Sequence, residues 1–289
     1  MSLGFSELIL NADRSIYHLN LLPEDIATTI ITVGDPDRVS DVSKYFDSIE
    51  LKKGKREFIT HTGKLSGKRL SVVSTGIGTD NIDIVFNELD ALVNIDFNTR
   101  KVKEEITQLK FIRIGTSGAI QPEIPVDSFL LSEYAMGFDS LLHFYDSEVI
   151  QNIDIARKFV EHSKWAVQKS LPYVVRADEL LTQKLTSNRI RLGLTATNTG
   201  FYGPQGRKLR APIEANDLIS KLTSFRYGKL KITNLEMETS GIYGLSKLMG
   251  HQAVSMNCIL ANRATEEFSE NPEKSIDELI KYTLEKLTS

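Results

Sequence analysis

The sequence predicts an α/β fold: a single domain with three layers, α/β/α, around a mixed, largely parallel central sheet. Three observations carry this. Short β-branched runs alternate with helical patterns along the 289 residues. Several of those runs stop at a glycine, the usual punctuation at the end of a strand. No repeat, low-complexity tract or linker divides the chain, so residues 1–289 read as one domain.

Ile26–Val33 (IATTIITV) is rich in β-branched residues and stops at Gly34. Leu70–Thr75 stops at Gly76, and Phe111–Ile114 stops at Gly115. Leu192–Thr197, Lys231–Leu235 and Ala253–Leu260 have the same character. Between them, Asp80–Leu92 sets Ile84, Leu89 and Leu92 near one helical face. Ile150–Ser170 and Ala177–Leu185 read as further helices. Asn271-Pro272 is a cap followed by a first-turn proline, and it opens a last helix with Ile276, Leu279, Ile280 and Leu284 on one stripe. The polar stretches Asn94–Glu105 and Asp146–Asp154 read as excursions from this scheme. Ligands of open α/β sheets collect at the carboxyl ends of strands. Gly34, Gly76, Gly115 and the loop after Thr197 are expected there.

Composition removes several function classes. With a net charge of -3 and no evident basic face or tail, a nucleic-acid partner is not expected. The single cysteine, Cys258, excludes an internal disulfide and a cysteine zinc site, which fits a reducing cytosol. No leader pattern or long apolar run is present, so the expected location is cytoplasmic, with no membrane partner. GxxxxGK[ST], GxSxG and HExxH are all absent. Gly76-Ile77-Gly78 suggests a dinucleotide fingerprint, but Asn81 stands where the third glycine belongs. His18, His61, His143, His162 and His251 show no metal spacing, and no metal is expected. Trp165 and the aromatic residues around Phe144 read as packing.

Four segments carry chemistry. Phe201-Tyr202-Gly203-Pro204-Gln205-Gly206-Arg207 places a ring, a carboxamide and a guanidinium in one glycine-rich loop. Phe201 can stack on a flat ring, Gln205 can both donate and accept along its edge, and Arg207 offers a donor fork to a carbonyl gaining charge. Read alone, the segment is better explained as a surface turn. Gly34-Asp35-Pro36-Asp37-Arg38 is either an anion site at a helix start or a plain capped helix, with Asp35 as cap and Pro36 in the first turn. Arg113-Ile114-Gly115-Thr116-Ser117-Gly118 puts an arginine inside a strand ahead of glycines and hydroxyls, which suits an oxyanion cradle. Glu236-Met237-Glu238 enters a helix. A carboxylate there can clamp two vicinal hydroxyls, although read alone the helix dipole explains both glutamates.

Together and in this order, GDPDR, KREF (Lys55–Phe58), STGIG (Ser74–Gly78), RIGTSGAIQP (Arg113–Pro122), FYGPQGR, LEMET and Asn262-Arg263 resemble the nucleoside phosphorylase family, in its uridine phosphorylase branch. The resemblance begins near Ile16-Tyr17-His18 and runs to the last helix. It implies a nucleoside phosphorylase-like fold and phosphate-dependent cleavage of uridine to uracil and ribose 1-phosphate, with inorganic phosphate as co-substrate and no cofactor. Gly34, Arg38, Arg113 and Thr116 would hold phosphate, joined by Arg56 across the interface of a dimer. His18 would likewise cross to the ribose 5′-hydroxyl. Met237 and Glu238 would hold the other ribose hydroxyls. Gly118, Phe201, Gln205, Arg207 and Leu260, with Ala261 beside it, would surround the base. The catalytic set would be Arg113, Arg207 and Gln205. A homodimer, or a hexamer built as a trimer of dimers, is expected. Some relatives hold potassium near positions matching Glu57, Ile77 and Asn81; the departure from serine at Asn81 leaves that ion outside the expected set.

Purine-specific relatives and the related nucleosidases use an aspartate after the late core strand. Cys258-Ile259-Leu260-Ala261-Asn262-Arg263 has none, which disfavours both alternatives. A nucleoside-binding protein without turnover has no need of three phosphate arginines. Departures fall at Asn198-Thr199-Gly200 and in the segments Asn94–Leu109 and Leu141–Asn188, which leave thymidine and deoxyuridine as further substrates to test.

Overall fold

A computed structural model describes residues 2–214 and 217–289. Its elements, in chain order, are β1 (Thr29–Val33), α1 (Asp37–Ser43), β2 (Ser48–Lys55), β3 (Phe58–Leu65), β4 (Lys68–Ser74), α2 (Thr79–Asn94), β5 (Ile95–Asp96), β6 (Lys101–Val102), β7 (Lys110–Ala119) and β8 (Phe129–Gly137). They continue with α3 (Ile153–Ser163), β9 (Tyr173–Arg176), α4 (Glu179–Leu185), β10 (Ile190–Thr197), α5 (Leu218–Ser224), β11 (Arg226–Tyr227), β12 (Leu230–Glu236), α6 (Thr239–Leu248), β13 (Gln252–Asn262), β14 (Glu267–Phe268) and α7 (Pro272–Thr288).

Among the described residues, twelve strands form one mixed sheet, ordered β11-β12-β10-β8-β13-β7-β1-β4-β3-β2, with β9 on β8 and β14 on β13. The central pairings β4–β1, β1–β7, β7–β13, β8–β10 and β10–β12 are parallel. β2 and β3 add an antiparallel edge beside β4. The end of β7 also pairs antiparallel with β12, through Gly118 and Ala119. That contact bends the sheet back on itself, so β7, β13, β8, β10 and β12 close a ring.

The three layers follow from side-chain alternation along strands. Ile30 and Phe111 face one side, under Ile82, Val85, Phe86 and Leu89 of α2 and Ile242 and Leu245 of α6. Ile31, Ile112 and Ile114 face the other side, under Val39 and Val42 of α1 and Leu279, Ile280 and Leu284 of α7. A third cluster, Phe159, Leu194, Leu222 and Ile232, fixes α3 and α5 to the far end. No helix among the described residues is long and apolar enough to cross a membrane.

Several expected boundaries move. β7 does not stop at Gly115 but continues to Ala119, because β13 and β12 both offer it backbone partners. The buried face of α2 is Ile82, Val85, Phe86, Leu89 and Leu92, and Ile84 is only half-buried. The helix expected over Ile150–Ser170 runs only from Ile153 to Ser163, since Lys164 turns into the left-handed region at φ 49°. α4 begins at Glu179, where the Asp178 carboxylate accepts from the Leu181 N–H. Trp165 packs as expected, stacked on Phe138 at 5.0 Å. Phe144 does not: its side chain is 84% exposed. The strands β2, β3, β8 and β9 have no counterpart among the strands expected from sequence. The excursion after Asn94 contains the small β5–β6 hairpin.

Candidate active site

Arg113 sits in the middle of β7 and is wholly enclosed. One guanidinium nitrogen donates to Glu238 Oε2 at 2.6 Å and lies 3.3 Å from Glu236 Oε2. The other donates to Asn257 Oδ1 at 3.1 Å. Gly115 makes this pose possible, because a Cβ there would overlap the guanidinium. Burial pulls the Arg113 pKa down, but the Glu236 and Glu238 charges outweigh it and hold it above its ordinary value. Gly115→Ala is therefore expected to dislodge Arg113. Thermal unfolding should show a loss of about 1–3 kcal/mol, the usual scale of overpacking.

The two glutamates divide their work. Glu236 is the capping carboxylate: its Oε2 accepts from the backbone N–H groups of Glu238 and Thr239 at 3.0 and 2.9 Å and from the Thr239 hydroxyl at 2.8 Å. Its Oε1 accepts from the Thr197 hydroxyl at 2.7 Å. Glu238 instead reaches across to Arg113 and accepts from the Gly78 N–H at 2.9 Å. The glycines that suggested a dinucleotide site thus serve a carboxylate, with Gly78 at φ 99° opening α2. Burial, and then the like charge of Glu236, raise the Glu238 pKa above the usual carboxylate value against the pull of Arg113. Met237 lies half-buried between the two.

The GDPDR segment leads into α1, with Pro36 just before its first turn and not within it. The Asp35 carboxylate accepts from the Asp37 N–H at 3.0 Å. Arg38 makes no side-chain hydrogen bond or ion pair among the described residues. Burial lowers its pKa, and the positive charge of Arg113 lowers it further. A cation with no side-chain partner is chemically suited to an anion. Gly34 lies against the Gly76 carbonyl, and Thr116 is half-buried on β7 beyond Arg113.

The aromatic loop leaves β10 beside this centre. The Asn198 N–H donates to the Glu236 carbonyl at 2.8 Å. Gly203–Gln205 forms a short 3-10 turn, ended by Gly206 at φ 67°. The Arg207 guanidinium stands 3.9 Å over the Phe201 ring and donates to the Phe201 carbonyl at 2.8 Å and to Gln205 Oε1. Phe201 is half exposed and Gln205 is buried. A Cβ on Gly118 would lie 4.0 Å from the Arg207 guanidinium, so the loop reaches back to β7. Leu260 is half-buried on β13.

His18 and Arg56 lie apart from this group. The His18 ring meets Glu88 Oε1 at 2.7 Å. Arg56 is exposed, at φ 58° in the β2–β3 turn. The neighbouring Lys55 donates to the Tyr17 carbonyl at 2.5 Å, so the chain segments that carry Arg56 and His18 touch. Neither is hydrogen-bonded to Arg113, Glu238 or Arg207 among the described residues.

Four residues of the site carry no role of their own in the sequence motifs. Arg263 donates to the Gln205 carbonyl and braces the loop; its signal was the Asn262-Arg263 pair. Glu236 had been given no role distinct from Glu238. Asn257 and Ser255, which both face Arg113, were visible only as polar residues in an apolar strand.

Residues 28–287 match the model of the phosphorylase superfamily. A uridine phosphorylase of Thermococcus kodakarensis is 31% identical over 261 residues, covering 89% of this chain and 81% of that protein. One from Haemophilus influenzae is 26% identical, covering 95% and 94%. The crystal structure of a Trypanosoma brucei nucleoside phosphorylase, described as showing uridine phosphorylase activity, superposes with a TM-score of 0.88 at 27% identity, covering 97% of this chain and 99% of that one. The match extends from the first strand of the sheet to the last helix, and on that extent the chain belongs to the phosphorylase superfamily.

Proposed function

We propose that this protein is a uridine phosphorylase, a pentosyltransferase cleaving uridine with inorganic phosphate to uracil and ribose 1-phosphate. The observation that carries this reading is the enclosed Arg113 on β7 with the Glu238 carboxylate against it at 2.6 Å. Cleaving an N-glycosidic bond leaves positive charge on the ribose and negative charge on the base. Phosphate held by Arg38, Arg113, Thr116 and the Gly34 turn would be nucleophile and counter-charge together. Glu238, with Met237, would take the ribose hydroxyls. Phe201 would stack on uracil, with Gly118 and Leu260 lining the pocket, while Gln205 and Arg207 receive its edge once their mutual contact opens. Donors that meet the leaving base more strongly in the transition state lower the barrier. No cofactor is needed for this scheme.

His18 and Arg56 support a homodimer in which each completes its neighbour's site, with a hexamer as the larger form. Two inactive variants test this. Arg56→Ala and Arg113→Ala should each be inactive alone. Mixed and allowed to exchange subunits, they should regain activity, because a heterodimer restores one complete site. A mixture that stays inactive despite demonstrated exchange would place Arg56 outside the shared site. An assay with uridine, thymidine and inosine, each with phosphate, tests the base preference. Inosine turning over faster than uridine would overturn the uracil assignment.

A further inference from the structure

Five buried polar side chains, one from each strand of the closed ring, form a continuous hydrogen-bonded belt that starts at Arg113. The guanidinium donates to Asn257 Oδ1 of β13 at 3.1 Å. Asn257 Nδ2 donates to the Ser132 hydroxyl of β8 at 3.1 Å. Ser132 meets the Thr195 hydroxyl of β10 at 2.5 Å. Thr195 donates to Asn234 Oδ1 of β12 at 2.9 Å, and Asn234 Nδ2 donates to the Ser117 hydroxyl at 2.9 Å, back on β7. Asn257, Ser132, Thr195 and Asn234 are wholly buried, and Ser117 is 8% exposed.

The belt has a direction. A guanidinium can only donate, so the Asn257 oxygen must face it. Thr195 gives its single hydroxyl proton to Asn234, so Ser132 must give its own to Thr195. Ser132 is then an acceptor towards Asn257 and holds the Asn257 amide group with its oxygen on Arg113. Reversing that amide would set N–H against N–H in a buried place, at the full cost of unmade hydrogen bonds.

We propose that Asn257 is a positioning residue that fixes the phosphate-facing pose of Arg113, with its own orientation locked by the belt. This rests on the phosphorylase reading of the site. Glu236 and Glu238 hold one nitrogen of the guanidinium, and Asn257 holds the other, so the plane is set from two sides. Glu238 is also the expected ribose ligand and is not free to serve as a permanent anchor. Asn257 is neutral, so it orients Arg113 without competing with phosphate for the charge.

Steady-state kinetics and calorimetric titration with inorganic phosphate test this on Asn257→Ala, Asn257→Asp and Ser132→Ala. Asn257→Ala is expected to raise the KM and Kd for phosphate about tenfold, the loss of one charge-assisted hydrogen bond. The KM for uridine should stay within about twofold, a change too small to mark a lost hydrogen bond. Asn257→Asp keeps size and acceptor but adds a charge opposite Arg113, so its phosphate affinity should fall below that of Asn257→Ala. A merely structural role predicts the reverse order, since aspartate replaces asparagine with less disturbance. Ser132→Ala should raise the KM for phosphate less than Asn257→Ala does, and it carries the test if the Asn257 variants do not fold. Unchanged phosphate affinity in folded Asn257→Ala, or an equal rise in both KM values, would overturn the proposal. A wild-type enzyme that turns over without phosphate would instead overturn the phosphorylase reading, and calorimetry would still report phosphate binding in the variants.

Discussion

Arg113→Ala is expected to lower kcat/KM by at least about 100- to 1,000-fold, the scale of losing one preorganised charged donor at a reacting centre. The same change should weaken the fold. It leaves Glu236 and Glu238 buried without their cation. Breaking a buried pair from one side typically costs about 3–5 kcal/mol. The loss should depend on pH, and its sign follows from Glu238. Burial already lifts that carboxyl above its ordinary value, and Arg113 is the main pull in the other direction. Without Arg113 it rises further. A carboxyl that binds its proton more tightly in the folded state favours folding at low pH, and that advantage is lost as pH rises above the ordinary carboxylate range. Urea unfolding at about pH 5 and about pH 8 should therefore show a larger drop in stability for the variant than for the wild type. A variant with near wild-type kcat/KM, or with no added loss at the higher pH, would contradict this account of Arg113.

Arg207→Ala is expected to lower kcat by about 100- to 1,000-fold, because its partner, the leaving base, gains charge only as the bond breaks. The KM for phosphate should change little, since Arg207 belongs to the loop and not to the anion cradle. Arg207→Lys should recover only part of the loss. Lysine keeps the charge but loses the planar fork and the 3.9 Å contact over Phe201. Stopped-time assays of uracil release, with either substrate varied, separate these outcomes. A variant with raised uridine KM and unchanged kcat would mean that Arg207 only binds the base.

The layered α/β scheme was legible because β-branched runs and helical stripes differ in period, and burial in a sheet covered on both faces enforces both. The C-terminal helix was read well because Asn271-Pro272 and the Ile276–Leu284 stripe agree with each other. The β2–β3 edge was missed because Ser48–Lys55 is mostly exposed and carries little apolar alternation. β7 was cut short at Gly115 because glycine usually ends a strand. Here it stays in register with Asn257 on β13 so that Arg113 can fold over it. The site was legible as motifs, since each holds its chemical residues within a few positions. Their mutual arrangement was not. Glu238 meets Arg113 only because β12 and β7 are brought together by ring closure, a pairing between residues far apart in the chain. The direction of the Asn257 belt depends on four such pairings and leaves no local pattern.

The central claim is that phosphate, not water, attacks the ribose. Uracil released from uridine by the purified protein, measured with and without inorganic phosphate, tests it most directly. The account predicts release only when phosphate is present, with ribose 1-phosphate formed in equal amount. Equal release of uracil without phosphate, with free ribose as the product, would contradict it.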